Sequence, residues 1–153
     1  MRHRGAFVLP DSFVFAALAV EDTAASVIDD RDGRTWELLR MDAGGKVLLP
    51  ALDQRANDQM GRSWEEVFAT GQRMVSEHPD SIAAWSYLAT TQGWMGLPAD
   101  SIAALHAPRI RAFGERLRAQ AAVAPEDLGR IFWYADGIDS TARARADLGR
   151  RTT

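Results

Sequence analysis

The sequence predicts an α+β fold that is predominantly α: a small N-terminal antiparallel β-meander packed on antiparallel helices. Three observations predict it. Before residue 50, the turn signals Asp32-Gly33 and Ala43-Gly44-Gly45 separate short apolar segments, as in hairpins. After residue 50, apolar residues recur at spacings of three and four, the period of a helix with one buried side. Helix-start residues recur there as well, at Ser63, Asp80-Ser81, Asp100 and Pro125. The 153 residues suit a single domain, strand-rich over 5–50, helical over 51–148 and frayed over 149–153.

In the strand-rich part, Phe13-Val14-Phe15 favours a strand by its aromatic and β-branched content. The alanines between 16 and 25 favour a helix, and for residues 13–20 the strand is preferred because a meander follows. Ser26–Ile28, Thr35–Met41 and Val47–Leu49 are expected to pair as three antiparallel strands, the last ended by Pro50. Alternation puts Trp36 and Leu38 on one face of the middle strand, Leu39 and Met41 on the other.

In the helical part, a short helix over 51–60 stops at Gly61. Ser63 and Glu66 form a capping box for a helix that turns Val67, Phe68, Gly71, Met74 and Val75 inward. Gly71 is placed to let a neighbouring helix approach closely. Pro79 ends that helix, and Asp80 or Ser81 caps the next, whose Ile82, Trp85, Leu88 and Ala89 share a face. Gly93, Gly96 and Leu97-Pro98-Ala99 make a turn. Asp100 caps a helix that points Ile102 and Leu105 back at its predecessor, and Pro108 breaks or kinks it. Beyond lies a stripe of Ile110, Phe113, Leu117 and Ala121. Pro125-Glu126-Asp127 then starts a helix that buries Leu128, Ile131, Phe132 and Ala135 and stops at Gly137. Ser140 caps a last helix through Leu148.

Residues 79–105 resemble one unit of a tetratricopeptide repeat. Trp85 and Leu88 fill the first slots of that motif, Ala89 stands for its small glycine, and Gly96 falls in the turn. Ser101 and Leu105 take the later Ala and Phe slots, and Pro79 matches the proline closing a preceding repeat. Gln92 departs from the Tyr slot, Pro108 from the second small slot and Phe113 from the closing proline. The resemblance covers about a fifth of the chain and implies a partner-binding helical scaffold without chemistry.

Composition narrows the function classes. Hydrophobic residues at 46% and charged residues at 25% are ordinary globular values, which argues against disorder. With no cysteine, thiolate nucleophiles, disulfides and cysteine metal sites are excluded. Lys46 is the only lysine, and the excess of arginine and alanine suggests GC-rich bacterial coding. Arg2-His3-Arg4 and the apolar Phe13–Val20 resemble the start of a signal peptide. Pro10 and Asp11 interrupt it, no cleavage motif closes it, and the run is far short of a membrane span, so a cytoplasmic protein without membrane contact is expected.

Of the motifs that carry chemistry, none is complete. Asp29, Asp30, Asp32 and Gly33 resemble half a calcium loop, but Ile28 and Leu39 fall where ligands are required. The turn signal is therefore the better account of these residues. His3, His78 and His106 have no partner at metal-ligand spacing, so neither metal nor cofactor is expected. His78 suits a helix C-terminus, although a fold could bring it to Ser81 or Asp80. No nucleophile elbow or phosphate loop is present, and catalytic residues are assigned to no position.

Partner contacts are the better prospect. Net charge is −3, but residues 106–153 carry nine basic and six acidic groups. Arg109, Arg111, Arg116 and Arg118 repeat at seven-residue spacing, a basic helix side suited either to solvent or to an anionic partner. Of five tryptophans, Trp36, Trp64 and Trp85 fit buried positions. Trp94, beside a turn, and Trp133, out of phase with Leu128 and Ile131, are the candidates for exposure and hence for contact. The favoured expectation is a non-catalytic adaptor or inhibitor-type domain that binds another protein. Nucleic-acid or phosphate binding through the arginines is the alternative, and an enzyme without a visible motif the third.

Overall fold

The structure, a computed structural model, describes residues 8–22, 27–29, 35–136 and 138. The fold is α+β and mainly helical, with five helices among the described residues and a small antiparallel β region toward the N-terminus. The chain divides into two compact units, Met1–Arg55 and Ala56–Thr153.

The first unit contains strands β1 (Phe15–Leu18), β2 (Val20–Asp22), β3 (Val27–Asp29) and β4 (Trp36–Leu39). Of the strand expected over 13–20, Phe15–Leu18 form β1 and Val20 opens β2, and the meander is absent among the described residues. β1 pairs with β4, Leu18 opposite Trp36, and β2 pairs with β3, Val20 opposite Asp29. The inner hairpin is thus nested in the outer one. The third expected strand is reduced to a single bridge between Met41 and Val47. Its physical cause is local. Asp42 Oδ1 accepts from the amides of Gly44 and Lys46, at 2.8 and 3.0 Å, closing a tight turn in which Gly45 has φ 79°. The chain returns for one bridge, and the carbonyl of Leu48 already accepts from Ala51 and Leu52 N–H. Helix α1 (Leu49–Gln59) therefore replaces the strand. Pro50 lies in its first turn, where a missing N–H costs nothing, and ends no strand. Val47, Ala51 and Leu52 are buried, and Arg55 Nε meets Glu37 Oε2 at 2.7 Å. Trp36, expected to be buried, is exposed with Leu38, whereas Glu37 and Leu39 face inward. Ser26, Asp30, Asp32 and Gly33 lie outside the described residues, as do His3 and the segment over 139–153 with its expected helix and tail.

The second unit is built from α2 (Trp64–Glu77), α3 (Ile82–Trp94), α4 (Ala99–Arg118) and a helix α5 over 125–136, with Ile138 also helical beyond Gly137. Both serine caps form: Ser63 Oγ accepts from Glu66 N–H and Ser81 Oγ from Ala84 N–H, each at 3.3 Å. The capping box is one-sided, because the Glu66 carboxylate accepts from Gln59 Nε2 instead. A β-carbon on Gly71 would stand 3.3 Å from both Thr91 Oγ1 and Tyr87 Cδ1, so α2 and α3 are in close contact there, as the glycine suggested.

Several expectations for this unit are overturned. Pro98, without a side-chain acceptor, is the N-cap of α4, and Asp100 lies inside the first turn, where its charge suits the dipole. Pro108 does not break α4, which runs on to Arg118; a proline here removes one backbone hydrogen bond from a helix otherwise held by Ile102, His106, Phe113 and Leu117 in the interior. Leu105 is exposed because His106 takes the buried position, and Ala121 lies past the helix end, exposed. On α5 the buried face is turned by about one residue: Tyr134 is buried, while Leu128 and Phe132 are exposed. Trp64, also expected inside, is exposed at the start of α2.

Candidate functional site

The centre of the second unit is a chain of three polar side chains from three helices. Gln92 on α3, His106 on α4 and Tyr134 on α5 are all buried, His106 completely. His106 Nε2 lies 2.7 Å from Gln92 Oε1, and Nδ1 is hydrogen-bonded to the Tyr134 hydroxyl. An amide oxygen only accepts, so Nε2 carries the proton and Nδ1 accepts from the tyrosine. Both ring nitrogens are thus used, with the imidazole neutral. Burial holds the His106 pKa below its usual value, and burial raises that of Tyr134 against a smaller opposing influence of the Arg109 charge.

Tyr134 also forms part of the wall of a groove of about 420 Å³. Trp94, at the end of α3, and Trp133, on α5, line the same groove and are 48% and 70% exposed. The two tryptophans singled out from sequence are therefore brought together. Ala99 and Ile102 of α4 and Ile138 complete the apolar surface, with Ser86 and Thr90 on α3 adding hydroxyls. Thr90 donates to the carbonyl of Ser86 at 3.0 Å. Trp64 extends the aromatic rim, its ring 5.4 Å from that of Trp94. Among the described residues lining the groove there is no carboxylate, guanidinium, amine or imidazole. Such a surface presents apolar area and aromatic ring faces.

Of the four arginines, all exposed, two are engaged within the fold. Arg109 stacks over the Trp85 ring at 4.4 Å, and Trp85 Nε1 donates to the Pro79 carbonyl at 2.8 Å. Arg116 donates to Asp80 Oδ1 at 3.0 Å and to the Asp80 carbonyl at 2.6 Å, and lies over Phe113. Both tie α4 to the start of α3. Arg111 and Arg118 are exposed. The hydrolytic grouping around His78 is occupied otherwise: His78 is the C-cap of α2, Ser81 Oγ caps α3, and Asp80 holds Arg116. Among the described residues no three His, Asp or Glu are placed to hold a metal, and no helix is long and apolar enough to cross a membrane.

No protein-family model, curated protein or solved structure shows a significant match to this chain. The reading of its role rests on the site itself. Sequence reasoning missed Tyr134 and the burial of His106; the available signal was the spacing Ile102–His106–Phe113–Leu117, which continues the buried stripe of α4 where Leu105 does not.

Proposed function

We propose that this protein is a non-catalytic binding domain, of adaptor or inhibitor type, that recognises another protein through the groove between Trp94 and Trp133. The observation that carries the reading is the exposure of both indoles on the walls of one groove whose described lining residues carry no charge. Exposed aromatic clusters of this kind mark interaction sites, and tryptophan is a frequent energetic anchor in them. The helical hairpin around residues 79–105 serves in this reading as a tetratricopeptide-like scaffold that presents the groove. A cytoplasmic, bacterial setting suits the composition.

The alternative, nucleic-acid or phosphate binding by the arginine helix, is the weaker reading because Arg109 and Arg116 already hold α4 to α3. The two readings separate in one experiment. Tagged wild type, Trp94→Ala/Trp133→Ala and Arg111→Ala/Arg118→Ala proteins are used to capture partners from native lysate, at low and high salt and with nuclease. A discrete protein retained by wild type in high salt and lost with the tryptophan variant is the expected result. Retention by the tryptophan variant would overturn the proposal, as would capture that disappears with nuclease or with the arginine variant.

A further inference from the structure

We infer that the crevice between α3 and α5 seats one amphipathic helix of the partner, about three turns long, with a basic side chain at the end beside Glu126. The inference rests on the proposed binding role of the Trp94–Trp133 groove. That groove is not isolated. A second crevice of about 550 Å³, lined by Ala83 and Tyr87 of α3 and by Glu126, Gly129 and Arg130 of α5, shares Ser86, Thr90 and Trp133 with it. The two form one trough. Its α3 wall is the stripe Ala83, Ser86, Thr90 and Gly93, and its α5 wall the stripe Glu126, Gly129 or Arg130, and Trp133, both at spacings of three and four. The first turns of α3 face the first turns of α5, and the last turns face the last, with Ala99 and Ile102 of α4 behind the aromatic end.

The shape selects the occupant. From Ala83 to Trp94 the trough follows α3 for about 16 Å, the length of three helical turns. Small side chains along α3 allow a helix backbone to come close, and Trp94 and Trp133 receive its larger apolar side chains. A strand would require a sheet edge to pair with, and both walls are helices whose main-chain groups bond internally.

The charge pattern gives the occupant a direction. Among the described residues no charged side chain lines the aromatic end. At the other end stand Glu126 and Arg130, and Arg130 Nη1 is engaged by Asp127 Oδ1 at 3.3 Å. Among Glu126, Asp127 and Arg130 one negative charge is in excess, which a cation on the incoming helix would meet.

The test uses two synthetic helices of about 14 residues, alanine-rich with one leucine face, flanked at both ends by lysine in one and glutamate in the other. Each is titrated into the full-length protein, with tryptophan emission and calorimetry as readouts. The lysine peptide is expected to bind about fivefold tighter, the effect of exchanging one exposed ion pair for a like-charge contact. Glu126→Lys should reverse the order. Gly93→Phe should weaken both peptides about tenfold or more by filling the trough. A β-carbon at Gly93 meets only Ile102 Cδ1, at 3.9 Å, so the substitution has room at the helix surface. Equal affinity for the two peptides, no binding of either, or an unchanged preference in Glu126→Lys would overturn the inference. Should that occur while Trp94 and Trp133 are still needed for partner capture, the helical occupant fails and the binding role stands; loss of both removes both.

Discussion

His106 on α4 and Tyr134 on α5 are hydrogen-bonded through Nδ1 and the phenol hydroxyl in the interior of the helical unit, where Tyr134 also lines the groove. Three helices are therefore registered by one imidazole, and the ring must be neutral for the chain Tyr134–His106–Gln92 to be satisfied.

Stability is consequently expected to fall in mild acid. Burial depresses the His106 pKa in the folded state, so the unfolded chain takes up the proton first as pH falls through the ordinary histidine value of 6.5. Above that value both states are neutral and the contribution is complete; below it, folding must exclude a proton the unfolded chain holds, and stability drops until the folded pKa is reached. Urea unfolding between pH 7.5 and 5 should show this slope, and His106→Gln should flatten it relative to wild type. An identical slope in the variant would assign the effect to other groups.

Tyr134→Phe removes the donor to Nδ1 and leaves a buried acceptor unpaired, at an expected cost of about 1–3 kcal/mol. Gln92→Leu removes the acceptor for Nε2–H, with a similar cost. The two share His106, so the double variant should depart from the sum of the singles by about 0.5 kcal/mol or more in a denaturant double-mutant cycle. Strict additivity would mean that the three side chains do not act as a chain.

How much of this was legible in the sequence depends on the range of the interactions. The serine caps of α2 and α3 and the turn after Trp94 are made within four residues, and were read correctly. The close approach at Gly71 was legible because the missing side chain is itself the signal. The third strand failed because Asp42 and Leu48 settle a local competition between a bridge and a helix start that alternation of Val47–Leu49 does not reveal. Judged from Ile102 alone, Leu105 at three residues and His106 at four continue the stripe equally well; only Phe113 and Leu117, further along, favour His106. His106 is inside because Gln92 and Tyr134, distant along the chain, satisfy both of its nitrogens. Tyr134 was hidden for the same reason, and hydrophobicity favoured Leu128 and Phe132 in its place. Trp94 and Trp133 were legible as outliers, Trp133 even though the phase used for α5 was off by one residue. Their meeting in one groove was not legible, since it requires the relative placement of α3 and α5.

The α2–α3 contact gives a packing test. Gly71→Val places a branched side chain where Thr91 Oγ1 and Tyr87 Cδ1 already stand 3.3 Å from a β-carbon. Thr91 is buried and donates to the Leu88 carbonyl at 2.9 Å, so it has little freedom to yield. A loss of about 1–3 kcal/mol is expected in chemical denaturation, with secondary structure retained by circular dichroism. A neutral outcome would show that the two helices can separate without cost.

The arginines separate structural from functional roles. Arg116 joins Asp80 through its side chain and carbonyl and covers Phe113, but both partners of the ion pair are substantially exposed, so Arg116→Ala should cost no more than about 1 kcal/mol. Arg109→Ala removes the contact with Trp85 and should cost about 0.5–1 kcal/mol. Arg111→Ala and Arg118→Ala should stay within about 0.5 kcal/mol of wild type, the range for surface changes remote from packing. Thermal and urea unfolding of the four variants tests this order. If Arg111 or Arg118 proved as costly as Arg116, the basic side of α4 would be part of the fold rather than a free surface, and its candidacy for an anionic partner would lapse.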